Sequence, residues 1–315
     1  MTSKSEVPDT HLVGSSGKIA IITTFAAAFF LAFMPILIRI GESFLSPNAT
    51  IFNRFWIATV ILGLWQVIFR RTRQVNIPVK NVPEIGTKLI FFIILAIAFI
   101  GTQLLWASSI DQTTVANAEV LHCLTPGFTT LAGWALFSHK FGKRFLTGML
   151  VATGGTIAIG ISDMSSSISL EGDWLAFLSA IFWAGYLMSI EKLRTWLSPT
   201  LILIWASLSC TLLSFPILLI TGDQIFPNSF PAWLTLIILA MNTIIAHILI
   251  GYSIKWLSSG LMATILLLSP VVTAIMGWFL FSETLNPLNL LGFAVILVGI
   301  YLAISDREEI KVVED

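Results

Sequence analysis

Shifted forward by 144 residues, the stretch from Leu124 to Gly155 falls on Leu268 to Gly299 with twelve of 32 positions identical and no gap. The matches include Pro126/Pro270, Gly133-Trp134/Gly277-Trp278, Leu136-Phe137-Ser138/Leu280-Phe281-Ser282, Gly148/Gly292 and Gly155/Gly299. Leucine and isoleucine recur by chance in an apolar chain. A proline, a Gly-Trp pair, a Leu-Phe-Ser run and two later glycines do not recur in one register. A second echo, Leu45-Ser46-Pro47 and Leu197-Ser198-Pro199, lies 152 residues apart, so the copies differ by a loop of some eight residues between the two blocks. The chain is one unit written twice, and any fold must place the copies as equivalents of each other.

Composition says what the unit is made of. Of the 315 residues 56% are hydrophobic and 11% charged, against about 25% charged in an average soluble domain. A membrane span needs about 20 mostly apolar residues. Ten such runs are present, near 19–40, 48–69, 88–107, 114–138, 145–161, 174–190, 199–220, 232–254, 260–281 and 287–304. Turn-forming clusters separate them, among them Ser46-Pro47-Asn48, Ser165-Ser166-Ser167, Pro227-Asn228 and Asn286-Pro287. The first 18 residues are polar, and no small-residue cleavage site accompanies the first apolar run, so that run is expected to be a retained helix. A net charge of zero offers no pull toward nucleic acid. Cys123 and Cys210 sit in apolar runs and read as small buried hydrophobes, with no disulfide or metal framework.

The basic residues test the count of ten. With the N-terminus in the cytoplasm, 15 of the 17 Lys and Arg fall on cytoplasmic segments, and only Arg39, near the outer side, and Arg54, within a span, do not. The positive-inside rule therefore supports ten spans with both termini in the cytoplasm. Trp106, Trp174, Trp196, Trp233 and Trp256 fall at span ends, where indole rings anchor at the interface. The halves, residues 1–163 and 164–315, hold five spans each. An odd number turns the second copy upside down relative to the first. The expected architecture is an all-α integral membrane protein with ten transmembrane helices in two inverted five-helix repeats. A site between such repeats opens to either side as the halves exchange conformations.

Pro126 midway along the fourth span, Gly133-Trp134 and Leu136-Phe137-Ser138 near its end, and Gly148 and Gly155 seven apart in the fifth resemble the EamA-type transporters of the drug/metabolite transporter superfamily. Arg54-Phe55 matches that family's Arg-Phe pair, and Ile36 to Gly41 is similar to the basic end of its first span. The resemblance covers nearly the whole chain. One position departs from it: family members usually end the fourth span with Gly-Glu, which the second half keeps as Glu283 but the first replaces with His139. The resemblance implies a ten-helix bundle, a central cavity and export of small metabolites from a bacterial cytoplasmic membrane, with amino acids as the first guess. Read as residues alone, Pro126 and Pro270 each remove a backbone hydrogen bond and bend a helix. In lipid this is tolerated only where protein or a cavity covers the gap. The paired glycines lie two turns apart on one face and permit close helix contact.

Ionisable groups inside a membrane are costly and mark function. Of 17 acidic residues only Glu119 lies well inside a span, with His122 three residues on along the same face. Arg54 enters the second span to a similar depth from the same side. Glu119, His122 and Arg54 are expected to meet in the outer half of the bundle, as a solute or proton pathway or, for Arg54 above all, as an ion pair locking two helices. Gln103 and His247 are related by the same 144-residue offset, and form a pseudo-symmetric pair that lines a cavity or serves structure. Trp183 and Tyr186 offer an aromatic wall or ordinary core packing. Thr113, Thr114, Asn117 and Asn242 are weaker candidates. The sequence holds no His-Glu-x-x-His, no Gly-x-Ser-x-Gly, no phosphate-cradling loop and no cluster with metal-ligand spacing, so no enzyme activity, cofactor or metal is expected. The expected partners are a small-molecule substrate and the lipid bilayer. The leading reading is a secondary exporter working by alternating access, with Glu119 and His122 as candidate proton carriers. A nucleotide-sugar or sugar-phosphate antiporter needs more deep cations than Arg54. A membrane-embedded enzyme acting on lipid-linked substrates lacks its motifs.

Overall fold

The computed structural model describes residues 15–70, 85–110, 112, 115–163, 169–281 and 287–306. Every element among them is an α-helix, and thirteen helices make ten spans. Span 1 is α1 (Ser15–Ala32) and α2 (Met34–Glu42), span 2 is α3 (Pro47–Arg70), and span 3 is α4 (Ile85–Ile110). Span 4 is α5 (Val115–His122) and α6 (Thr125–Phe137), and span 5 is α7 (Lys143–Asp163). Spans 6, 7 and 8 are α8 (Leu170–Leu193), α9 (Pro199–Thr221) and α10 (Phe230–Ser253). Span 9 is α11 (Ser259–Leu266) and α12 (Leu268–Phe281), and span 10 is α13 (Pro287–Ile304). Eight of these are long and apolar enough to cross a membrane among the described residues. The other two, spans 4 and 5, are the copies of spans 9 and 10 under the 144-residue offset. The boundary expected at 163/164 adjoins residues 164–168, which lie outside the described residues.

The Leu-Ser-Pro echo is a helix start. Ser46 accepts the Ala49 N–H at 3.2 Å, and Ser198 accepts the Leu201 N–H at 3.3 Å. In each case the proline follows at the first helical position, where no N–H is needed. Ser229 and Ser258 cap α10 and α11 in the same way. Asp306, beyond α13, accepts the Phe145 N–H at 3.0 Å and so satisfies the first turn of α7.

The packing pairs obey the repeat. Span 5 packs on span 10 and span 2 on span 7, each a helix against its own copy. Span 3 packs on span 6 and span 8 on span 1, which are one contact seen twice. Direction follows from the glycines. A Cβ on Gly148 would stand 2.3 Å from the Ala303 nitrogen and 2.5 Å from the Gly299 oxygen, and one on Gly155 would stand 3.0 Å from the Ile296 nitrogen. Numbers rise along α7 as they fall along α13, so equivalent helices run antiparallel in backbone contact. That is the geometry of inverted repeats, with the exchange axis passing between α7 and α13.

Three spans are broken, and the breaks are covered by protein. In span 4 the helix stops at His122 and restarts at Thr125, with Pro126 in the first turn of α6. The His122 carbonyl, which Pro126 cannot satisfy, accepts the Thr125 hydroxyl at 2.6 Å. In span 9 the break falls at Leu267, three residues before Pro270. Span 1 breaks at Phe33, ahead of Pro35. There the Phe30 carbonyl accepts from the Asn242 amide at 2.9 Å, and the Ala32 carbonyl accepts from the Thr273 hydroxyl at 3.0 Å. Asn242 thus serves the backbone of span 1. Thr113, Thr114 and the side chain of Asn117 lie outside the described residues. Cys123 and Cys210 are buried and free.

Candidate functional site

The three breaks meet. Pro35, Pro126 and Pro270 line one cavity of about 920 Å³, its open mouth included. A straight helix would fill this space with its own side chains. A helix broken near mid-membrane draws back and leaves a hollow where backbone is otherwise forbidden. Arg54, Gln103, Glu119, His122, Trp183 and His247 also line it. Six of the seven side chains expected at a pathway therefore share one space. The seventh, Tyr186, stands behind the wall, 1% exposed and stacked on Trp183 with ring centroids 5.1 Å apart.

Arg54 is 3% exposed. Its Nε donates to Thr243 Oγ1 at 2.8 Å and its Nη1 to Gln103 Oε1 at 3.4 Å, which ties α3 to α10 and α4. Among the described residues it forms no ion pair, so the expected lock between Arg54 and Glu119 is replaced by neutral partners. Glu119 takes a hydrogen bond from Trp106, whose indole N–H is its only donor. Arg54 and Glu119 therefore face one cavity without neutralising each other.

His122 and His247 are held differently. The Ser179 hydroxyl gives its proton to the Ala176 carbonyl at 2.7 Å, so His122 Nδ1, 3.1 Å from Ser179 Oγ, carries the hydrogen and donates. His247 Nδ1 lies 2.7 Å from the Tyr186 hydroxyl. Its Nε2 is buried and has no partner among the described residues. Phe99 stacks on Tyr186 at 4.6 Å and meets the His247 ring edge-on at 5.3 Å, so the floor of the cavity is aromatic and its side chains are fixed.

A smaller hollow shares Ile38, Arg54, Gln103 and Trp106 with the cavity and continues toward Glu42 and Pro47. Beyond the aromatic floor, hydrogen bonds tie the helices to one another. Arg194 donates to the Gly251 and Leu197 carbonyls, Glu191 accepts the Ser259 N–H at 3.1 Å, and the Thr23 and Ser253 hydroxyls bond to each other.

Sequence reasoning missed three contributors. Trp106 read as an interfacial anchor, Pro35 went unremarked, and Thr243, one turn before His247 on the same face of α10, carried no signal apart from that spacing.

Comparison with known proteins adds the following. The model of the EamA-like transporter family matches residues 18–161 and again residues 170–305. The chain is similar to an uncharacterised transporter of Archaeoglobus fulgidus, 25% identical over 284 residues, 87% of this chain and 93% of the relative. It is similar to the threonine/homoserine exporter RhtA of Escherichia coli, 24% identical over 215 residues, 68% of this chain and 71% of the relative. It is also similar to the pseudopaline exporter CntI of Pseudomonas aeruginosa, 21% identical over 282 residues, 90% of this chain and 94% of the relative. A crystal structure 16% identical in sequence superposes with a TM-score of 0.73, over 90% of this chain and 96% of that one, and the likeness is one of fold.

Proposed function

The chain belongs to the EamA-like transporter family, and from that premise we propose that it exports amino-acid-like zwitterions by alternating access between its inverted halves. The observation that carries this reading is the pair of opposite charges on one cavity, Arg54 and Glu119, each bonded to neutral groups and not to the other. A buried charge needs a partner, and a solute with one carboxylate and one ammonium group supplies both. Leu31, Met34, Ile38 and Leu266 and the face of Trp183 leave apolar room for a side chain. An exporter of threonine and homoserine among the relatives fits the same chemistry. A sugar phosphate or nucleotide sugar would bring two negative charges to a cavity with a single arginine and a carboxylate. The wild-type protein in proteoliposomes is expected to move labelled L-threonine, or another member of a panel of the twenty amino acids, down its gradient and in counterflow. Exchange of nucleotide sugars with no amino-acid flux would overturn the reading.

The halves divide at 163/164 in this proposal, and the protein sits in a bacterial cytoplasmic membrane with both termini in the cytoplasm. The smaller hollow beside Glu42 and Pro47 then lies on the outer side. Asp223, held below the ordinary carboxylate range by hydrogen bonds from Thr221 and Ser46, lies on that outer side. Asp223→Cys in intact cells is expected to react with a membrane-impermeant thiol reagent, and Lys140→Cys is expected to react only after lysis. Labelling of Lys140→Cys in intact cells would reverse the orientation.

A further inference from the structure

One atom of the cavity floor is unexplained by its surroundings. His247 is 2% exposed, and its Nε2 is buried beside the cavity with no hydrogen-bond partner among the described residues. Such an atom is expensive to leave unmet. Its chemical character follows from the other ring nitrogen. Tyr186 is 1% exposed, and its hydroxyl proton needs an acceptor. Among the described residues that acceptor is His247 Nδ1 at 2.7 Å. The neutral ring then carries its one hydrogen on Nε2, which makes Nε2 a donor. Phe99 and Trp183 meet the ring edge-on at 5.3 and 5.8 Å and keep it from turning away. Thr243 lies one turn earlier on the same face of α10, and it is Thr243 that accepts from Arg54 Nε. The guanidinium and the imidazole N–H therefore belong to one corner. A guanidinium has only donors, and the second bond of Arg54, to Gln103, is long at 3.4 Å. The corner offers donors and one positive charge, with no acid among the described residues that contact it.

We propose that Arg54 and the Nε2–H of His247 form a carboxylate subsite on the cavity floor, with Tyr186 as the positioning residue that sets the histidine tautomer. The subsite rests on the zwitterion reading for its biological ligand, and it assigns the two ends. The carboxylate goes down to Arg54 and His247, the ammonium group toward Glu119, and the side chain along Trp183.

The test is a set of thermal melts of the purified full-length protein, because a ligand that binds the folded state raises its melting temperature by mass action. The probes are L-threonine, L-threoninamide, propionate and inorganic phosphate. Threonine and propionate are expected to stabilise the wild type, and the amide and phosphate to do so far less. His247→Asn keeps a group at the Nδ1 position but loses the Nε2 donor, and should weaken both acids about tenfold. His247→Gln carries an amide N–H to the Nε2 position and should recover most of that loss. Tyr186→Phe frees the tautomer and should fall between the two. A role in structure alone would lower every melt while leaving the preference for acid over amide intact. That result, an amide or phosphate binding as well as the acid, or no shift with either acid, would overturn the subsite. Stabilisation by propionate without amino-acid flux would keep the subsite and remove the zwitterion reading. Threonine flux without preference for acid over amide would do the reverse.

Discussion

Gly148→Val is expected to leave little folded protein in detergent extracts, while Gly154→Val, on the same helix, is expected to leave the wild-type amount and melting temperature. At Gly148 a Cβ would lie 2.3 Å from one backbone atom of α13 and 2.5 Å from another. Neither can rotate away as a side chain could, so α7 and α13 must separate. Gly299 presents the same problem from the other side, with the Ala152 nitrogen at 2.3 Å and the Gly148 oxygen at 2.7 Å. Within lipid no hydrophobic force drives helices together, and close packing between backbones is what the interface is made of. Overpacking of a tight core costs typically about 1–3 kcal/mol, and a clash with backbone on an interface between the two halves belongs at or above the top of that range. Gly154 meets nothing within 4 Å. Glycine content and helix propensity change equally in the two variants, so their difference isolates contact across the interface. Equal melting temperatures would show that α7 and α13 do not pack as described.

The glycines show what kind of information the sequence carried. Spacing within one helix was legible: Gly148 and Gly155 had to share a face, and their copies in span 10 had to do the same. The odd number of spans per copy then forced the antiparallel pairing that makes the two faces meet. Pro126 and Pro270 were legible because the chain repeats them. Pro35 was not, since span 6 carries Leu187 at the matching position under the 152-residue offset and runs unbroken. The cavity therefore has three broken walls where the repeat pointed to two. Spacing also placed Glu119, His122 and Arg54 at one depth but could not say which way each turns. Arg54 reaches Thr243, 189 positions away in the chain, and Glu119 takes the indole N–H of Trp106. Both choices depend on how helices are rotated about their axes. That rotation is set by packing among all ten spans and leaves no mark on local periodicity. Gln103 and His247, paired by the offset, both line the cavity with Arg54 and come from opposite halves.

Glu119→Gln is expected to fold, melt and reach the membrane like the wild type, and to lose most transport of zwitterions. The amide oxygen still accepts the Trp106 N–H, and Arg54, which is bonded to Thr243 and Gln103, is left with the partners it has. A strut for Arg54 would predict the opposite, a large loss of stability from an abandoned buried charge. What the substitution removes is the negative charge facing the cavity. A hydrogen bond to a charged group contributes roughly 1.5–3 kcal/mol, and each 1.4 kcal/mol is about a factor of ten in affinity. Threonine counterflow should therefore fall by about ten- to a hundredfold, while propionate, which has no ammonium group, should bind the variant as it binds the wild type. His247→Asn should instead weaken threonine and propionate alike, each about tenfold. Proton coupling is read from the same protein by a second assay. If Glu119 carries the coupling proton, flux driven by a pH gradient disappears while counterflow at equal pH persists. Loss of both fluxes assigns Glu119 to the ammonium group of the solute, loss of the driven flux alone assigns it to the proton, and retention of both removes it from the pathway.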